Sequence, residues 1–425
     1  MHDITGPISP SLRLLRDAIM TGIQTSWDGI PIPTSAEHAT SPLKQAPEIP
    51  QSQQPPPPLL TFPLGTRERT LRKYGVTPGI TPFPAWPAPS PEQCEEVNRL
   101  LTSVHGELKQ PDIIPMPSLE VVTCGEVPSV LDALLRTVIS SAVTVSSAAN
   151  AFKGLVKRFG VQKHGIGSGS VDWNKVRQAS LDEVFQAMKI GGLGLVKSTN
   201  IKAILDMVYN DNKKMRVGIQ ETAKKQGSGL DGILSATHKE EGEITTGDDD
   251  DDDGAEEYLL SLEHLRDLST EDAMAHLLGY PGIGIKIAAC VLLFCLQRPC
   301  FAVDTHVFRL CRWLRWIPPD PTSNESSVES DAVIRGKKVT TEVAFTHLDA
   351  RVPDHLKYSL HQLFFTHGRK CLKCAPVNAR GVDIGGGEYC ILEKLLTRSR
   401  REEDRGLLGK RKRKRKRKRD HEEDS

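Results

Sequence analysis

Two side chains eighteen residues apart carry the reactive chemistry this sequence offers. Lys286 follows the turn Pro281-Gly282-Ile283-Gly284 and opens an apolar helical stretch, Ile287 to Gln297. An ammonium is disfavoured at the positive end of a helix dipole. That placement lowers an amine pKa and makes the amine a better nucleophile near neutral pH. The plainer reading is a lysine that snorkels to solvent. Asp304 follows the apolar pair Ala302-Val303 and starts a helix whose inner face is Val307, Leu310, Cys311 and Leu314. As an N-cap it needs no further role. Facing Lys286 across a groove, it would stabilise developing positive charge or shuttle a proton. Gly282 and Gly284 permit a sharp turn and leave the backbone N–H groups around Ile283 uncovered, the composition of a phosphate site. The same residues also suit a simple corner between helices.

A third group of residues suits a metal. Nine cysteines are an odd number in a chain whose N-terminus lacks a basic-then-apolar leader pattern, so reduced intracellular thiols are expected. Cys371-x-x-Cys374 and, after fifteen residues, Cys390 supply three thiols. Three complete neither a tetrahedral set nor a cubane, and His367 is a candidate fourth ligand.

The elements that must position these residues read as helices. Helical periodicity runs over 92–106, 128–159, 181–189, 197–210, 258–278, 285–297, 304–315 and 355–367, with a short helix at 390–400. Ser90-Pro91 is a helix start, and Ser269 caps with Asp272 as its box partner. Ile190 to Leu195 is a tight turn. Alternating strand patterns are few, so the expected fold class is all-α. No run of about 18 apolar residues predicts a membrane span.

Composition divides the 425 residues. Of 29 prolines, 22 lie within 1–128, and 1–90 reads as a disordered Pro-rich region with a short amphipathic stretch at Ser11 to Ile23. Residues 91–400 read as the folded domain, broken by polar insertions at 212–257 and 320–340. Residues 401–425 read as a charged tail. The net charge of +1 conceals six consecutive acids, Asp248 to Asp253, and ten consecutive bases, Lys410 to Arg419. The folded segments are net basic, which suits a polyanionic partner or a merely soluble protein. The basic run reads as a nuclear-import signal or a DNA-tethering arm, and the nucleus is the expected location.

Leu277-x-Gly-Tyr-Pro-Gly-Ile-Gly-Ile-Lys286, followed by Ala302-Val-Asp-Thr-His-Val-x-Arg309, resembles the helix-hairpin-helix (HhH-GPD) DNA glycosylase superfamily of the endonuclease III type. The resemblance runs from about 129 to 375. It takes in Ile190 to Lys197, Val352-Pro353 and the His-Gly-Arg segment within His361 to Arg369. Arg312 to Pro318 is similar to the eukaryotic branch containing the plant 5-methylcytosine glycosylases. The resemblance implies a two-lobed helical fold and a monomeric base-excision repair glycosylase with AP-lyase activity. Its partner would be double-stranded DNA bearing a damaged base, oxidised pyrimidine first, or an abasic site. Lys286 would be the nucleophile that forms a Schiff base, and Asp304 would assist base expulsion. Gly282, Ile283, Gly284, Ser140, Lys197 and Arg369 would contact DNA. No cofactor is required by that chemistry.

Three departures stand out. Many members carry a gap-filling glutamine where this chain has Ile139-Ser140-Ser141-Ala142-Val143-Thr144. Many hold a 4Fe–4S cluster with four cysteines, whereas Cys371, Cys374 and Cys390 leave a degenerate cluster or a zinc site as alternatives to no metal. The two insertions lengthen loops around the expected groove. The competing readings are a non-catalytic DNA-binding scaffold, and a glycosylase for oxidised purine or modified cytosine.

Overall fold

Small polar side chains set most of the helix starts. The computed structural model describes residues 79–119, 125–192, 194–225, 259–319, 339–376 and 389–396, together with 70, 71, 73, 75 and 77. Helix α1, Pro91–His105, begins at a capping box formed by Ser90 and Gln93. Ser129 and Thr144 cap α2, Val130–Ser140, and α3, Val145–Phe159. Asp172 caps α4, Trp173–Gln178, and a Ser180–Glu183 box opens α5, Leu181–Lys189. Helix α6, Leu195–Lys225, follows. After a 3-10 turn at Glu263–Arg266, Ser269 caps α7, Thr270–Leu277, with its hydroxyl also on Asp272 as the sequence leads one to expect. Helix α8, Ile285–Cys290, widens into a π turn, Val291–Cys295. Asp304, Thr340 and Pro353 precede α9, Thr305–Trp313, α10, Thr341–Arg351, and α11, Asp354–Lys370.

The chain is helical, and among the described residues there is no strand, only an isolated antiparallel bridge between Val161 and Val171. No described helix is long and apolar enough to cross a membrane. The helices pack in two groups. In one, α3 lies against α2, α4 and α5, and α6 closes on α4 and α5. In the other, α11 lies between α1 and α9. Helix α8 touches α2 on one side and α10 on the other. Its residues Ile285 and Ile287 to Cys295 are all buried, including Val291, Leu292, Leu293 and Phe294. At about 1.5–3 kcal/mol per large side chain buried, this short segment is a main source of cohesion between the groups.

Several boundaries differ from the sequence expectation. The stretch 128–159 is two helices, because Ala142 turns left-handed at φ +56° and Thr144 recaps the chain. No glycine or proline announces that break. Helix α6 continues to Lys225, well into the span read as an insertion, and Asn212 donates to the Leu259 and Ser261 carbonyls at 2.9 and 2.8 Å. Helices α4 and α10 were not anticipated, and 391–395 forms turns rather than a helix.

Ordered packing also reaches upstream of Ser90. Trp86 donates its indole N–H to the Arg315 carbonyl, and Arg351 donates to the Trp86 and Pro87 carbonyls. The buried His347 donates Nε2–H toward the Ala88 and Trp316 carbonyls and accepts from the Thr81 hydroxyl at 2.6 Å. The acidic run, the basic run and Ser11 to Ile23 lie outside the described residues.

Candidate active site

Of the two glycines that flank Ile283 in the hairpin between α7 and α8, one is required by the backbone. Gly282 has φ +75°, where L side chains are strained, and a Cβ there would run into the Asn200 carboxamide on α6. Gly284 has φ −106° and would meet nothing within 4 Å. Its missing side chain instead leaves the first turn of α8 bare, with no side-chain cap. Ile283, between them, is buried and anchors the loop.

Lys286 is half-buried on that first turn. Lys197, from the first turn of α6, lies close enough for the two charges to interact. Burial and then the Lys286 charge bring the Lys197 ammonium down to about 8. Lys197 Nζ donates to the Ile139 and Ser141 carbonyls at 2.8 and 2.5 Å, so it closes the C-terminal end of α2. Ser140 sits between those carbonyls, its hydroxyl on the Thr137 carbonyl at 3.3 Å. The geometry therefore brings Ser140, Lys197 and Lys286 together. Lys197, which the resemblance puts among the DNA contacts, is here engaged with two backbone carbonyls.

Asp304 does what an N-cap does, with one oxygen. Its Oδ1 accepts from the His306 and Val307 N–H groups at 2.8 and 2.7 Å. Its Oδ2 accepts no hydrogen bond among the described residues. Behind it lies His361 of α11, 2% exposed, with Nδ1 2.7 Å from the Ala302 carbonyl. A carbonyl only accepts, so Nδ1 carries the proton and Nε2 is left as an acceptor. Burial holds the His361 imidazole below its usual pKa. The Asp304 charge and the Ala302 bond pull it up, and the Lys286 and His306 charges pull it down. Lys286 and Asp304 thus both act on one buried imidazole. The sequence alone gives His361 no role, although the resemblance takes in the segment that begins there.

Arg369 is exposed at the end of α11, its guanidinium 4.9 Å from the Phe365 ring, which stands edge-on to His306. Arg309 donates to the Gly368 and Cys374 carbonyls, and His306 Nδ1 lies 3.1 Å from the Gly368 carbonyl. Gly368 is forced by this contact, since a Cβ would come within 2.9 Å of His306.

His367, in the last turn of α11, and Cys371, Cys374 and Cys390 beyond it bring one ligand atom each within 4.8 Å of one another, a cluster able to bind a metal. The structure gathers the three thiols with His367, the candidate fourth ligand in the sequence. A separate cavity of about 350 Å³, lined by Glu271, Asp349 and Lys357 among others, shares no lining residue with Lys286 or Asp304.

A second unanticipated feature is an ion pair buried within α2. Asp132 and Arg136, both fully buried on α2, form an ion pair at 2.8 Å. Ser170 and Trp173 donate to Asp132, and Arg136 reaches the Ser118 carbonyl and lies 4.1 Å from the Phe152 ring. Their i, i+4 spacing on an apolar helix was the available signal.

Residues 135–335 match the family model of the HhH-GPD superfamily of base excision DNA repair proteins. A putative DNA glycosylase of Arabidopsis thaliana is 26% identical over 323 residues, covering 72% of this chain and 85% of its own. The DNA glycosylase/AP lyase ROS1 of the same plant is 24% identical over 208 residues. That alignment takes in 49% of this chain but only 12% of ROS1. A solved structure of MBOgg1 in complex with a low-affinity DNA ligand covers 57% of this chain at 14% identity and a TM-score of 0.33, too slight a likeness to add to the fold. The likeness to the HhH-GPD superfamily thus spans residues 135–335, just under half of the chain, and includes both Lys286 and Asp304.

Proposed function

We propose that this chain is a base-excision DNA glycosylase with AP-lyase activity, in which Lys286 is the nucleophile and Asp304 its carboxylate partner. The observation that carries this reading is a pair of helix starts. Lys286 stands half-buried on the uncapped first turn of α8, and Asp304 opens α9 with only Oδ1 used in its cap. The HhH-GPD match over residues 135–335 and the named activities of the plant relatives support the same class.

The chemistry follows from those groups. A damaged nucleotide leaves the stack at a cost of a few kcal/mol and enters the cleft. Lys286 Nζ attacks C1′ as the bond to the base breaks, and the base departs with a proton. Oδ2 of Asp304 stabilises the cationic sugar as it forms. Opening of the sugar ring gives a Schiff base on Lys286, and β-elimination then breaks the C3′–O bond and nicks the strand. The backbone from Gly282 to Gly284 grips a phosphate without reading sequence, and Ser140 and Arg369 flank the duplex. Oxidised pyrimidine is the first substrate to try, ahead of oxidised purine and modified cytosine. The route needs no cofactor. In this reading residues 91–400 are the catalytic body, with 1–90 and 401–425 as flanking arms. Lys410 to Arg419 then directs the protein to the nucleus.

Borohydride reduction in the presence of duplexes carrying an abasic site or a single lesion is the test. The wild type should be trapped covalently on the abasic duplex and on its preferred lesion. Lys286→Gln should bind the same duplexes and give no adduct. A Lys286→Gln protein that is still trapped removes the assignment, and a wild type that binds but never traps makes the chain a non-catalytic binding module.

A further inference from the structure

The family resemblance implies a cluster of four irons and four sulfides held by four cysteines, and the residues present do not fit it. Among the described residues the cluster holds three thiols, and its fourth group is an imidazole. Each thiolate of a cubane binds a different iron, so the four sulfurs stand farther apart than ligands of a single ion. Here Cys374 Sγ and Cys390 Sγ are 3.6 Å apart, and Cys390 Sγ is 3.4 Å from His367 Nε2. A tetrahedral zinc with bonds of about 2.3 Å to sulfur has ligand atoms about 3.8 Å apart along each edge. The observed spacings match one ion and are far longer than the ~2.05 Å of a disulfide. A contraction of about 1 Å brings the widest pair, at 4.8 Å, to the same edge.

The imidazole is already oriented for that role. His367 Nδ1 lies 2.9 Å from His105 Nε2 at the last residue of α1. With the proton on Nδ1 and donated to His105, Nε2 presents its lone pair to the three thiols. This is the outer-shell arrangement that fixes the tautomer of metal-bound histidines. His367, Cys374 and Cys390 are buried, and Cys371 is partly exposed, which leaves an entry path for an ion.

We propose that His367, Cys371, Cys374 and Cys390 bind a single zinc ion tetrahedrally, where the family places a cubane. The ion is a clip. It ties residues 389–396 to the turn after α11, a junction otherwise made by buried Leu392, a Lys373–Glu393 ion pair at 3.5 Å and the Lys373 ammonium over Tyr389. Because Arg309 of α9 is held by the Gly368 and Cys374 carbonyls, the clip also buttresses the helix that Asp304 begins. The binding site does not depend on the proposed glycosylase reaction, and its test reads metal rather than activity.

Metal and acid-labile sulfide analysis of the unheated full chain should find about one zinc per chain and neither iron nor sulfide. Cobalt exchange should give the strong visible bands of a tetrahedral site together with thiolate charge-transfer absorption. Cys390→Ser should lose the zinc, and His367→Cys should keep it with a shifted cobalt spectrum. Chelation should expose the chain near Tyr389 to limited proteolysis and lower the melting temperature. Should the substituted chains fail to fold, the wild-type metal content and cobalt spectrum decide alone. About four irons with four sulfides per chain, a Cys374–Cys390 disulfide, or protein that stays metal-free with zinc supplied would each overturn the proposal.

Discussion

At the residue scale, His361 is the side chain whose loss tells most. It donates to the carbonyl of Ala302, two residues before Asp304, and so holds the start of α9 in place. His361→Ala should leave Lys286 intact and abasic-site trapping measurable. Base excision should fall about 100-fold, since a displacement of about 1 Å in a reacting group costs that much. The loss should appear in kcat more than in KM. Single-turnover excision beside abasic-site trapping measures the split, and equal losses in both would mean a general packing defect.

The residues that sequence reasoning reached are those whose type and immediate neighbours carry the signal. Lys286 after Gly284 and Asp304 before Thr305 declare themselves as helix-start residues in unusual company. His367 sits four residues before Cys371, so its spacing to the thiols was visible, yet it belongs equally to the His-Gly-Arg segment. Its use as a ligand depends on which ring nitrogen faces the thiols. The His105 contact, 262 residues away in sequence, decides that.

At the element scale, the α7–α8 hairpin rests on α6. Gly282→Ala meets both a left-handed φ and the Asn200 carboxamide. Strain of this kind costs about 1–3 kcal/mol, and relief would come through movement of the loop. Affinity for a non-cleavable abasic-site duplex should drop roughly 10-fold or more. Adding Asn200→Ala should recover only the steric part, because the backbone strain remains. Fluorescence anisotropy on the single and double substitutions checks this, and full recovery in the double would show that φ contributes nothing.

Elements were legible where periodicity and caps coincide, as at Ser90, Ser180 and Ser269. They were not legible where tertiary contacts override a continuous pattern. The turn at Ala142 is held by Lys197 on the Ile139 and Ser141 carbonyls, from 56 and 58 residues away. The segment 79–90, which looks too proline-rich to fold, is ordered by carbonyls that accept from Arg351 and His347.

At the scale of the whole molecule, buried neutral histidines govern the response to acid. Burial and the neighbouring His264 push His276 down to about 4. Burial also lowers His264, His306, His347 and His361. Each is a base whose folded pKa lies below its unfolded value near 6.5. Between the two, the unfolded chain holds the extra proton, so stability rises with pH across that window. Acidification from about 6.5 toward 4 should therefore destabilise the fold. His276 alone would contribute on the order of 3 kcal/mol, at about 1.4 kcal/mol per pKa unit. Denaturant midpoints at pH 7.5 and 5 measure the effect, and an unchanged midpoint would mean that these rings are solvated.

Asn212 has a consequence for how the chain tolerates change in length. By holding Leu259 and Ser261, it staples one rim, on the flank of α6, to the other, where the chain resumes at Leu259. Once both rims are fastened, the stretch between them adds little to the entropy of closure, about 0.6 kcal/mol for each doubling. Evolution could have lengthened or shortened that excursion without renegotiating the core. For the same reason it is a natural port for grafting a fluorescent reporter.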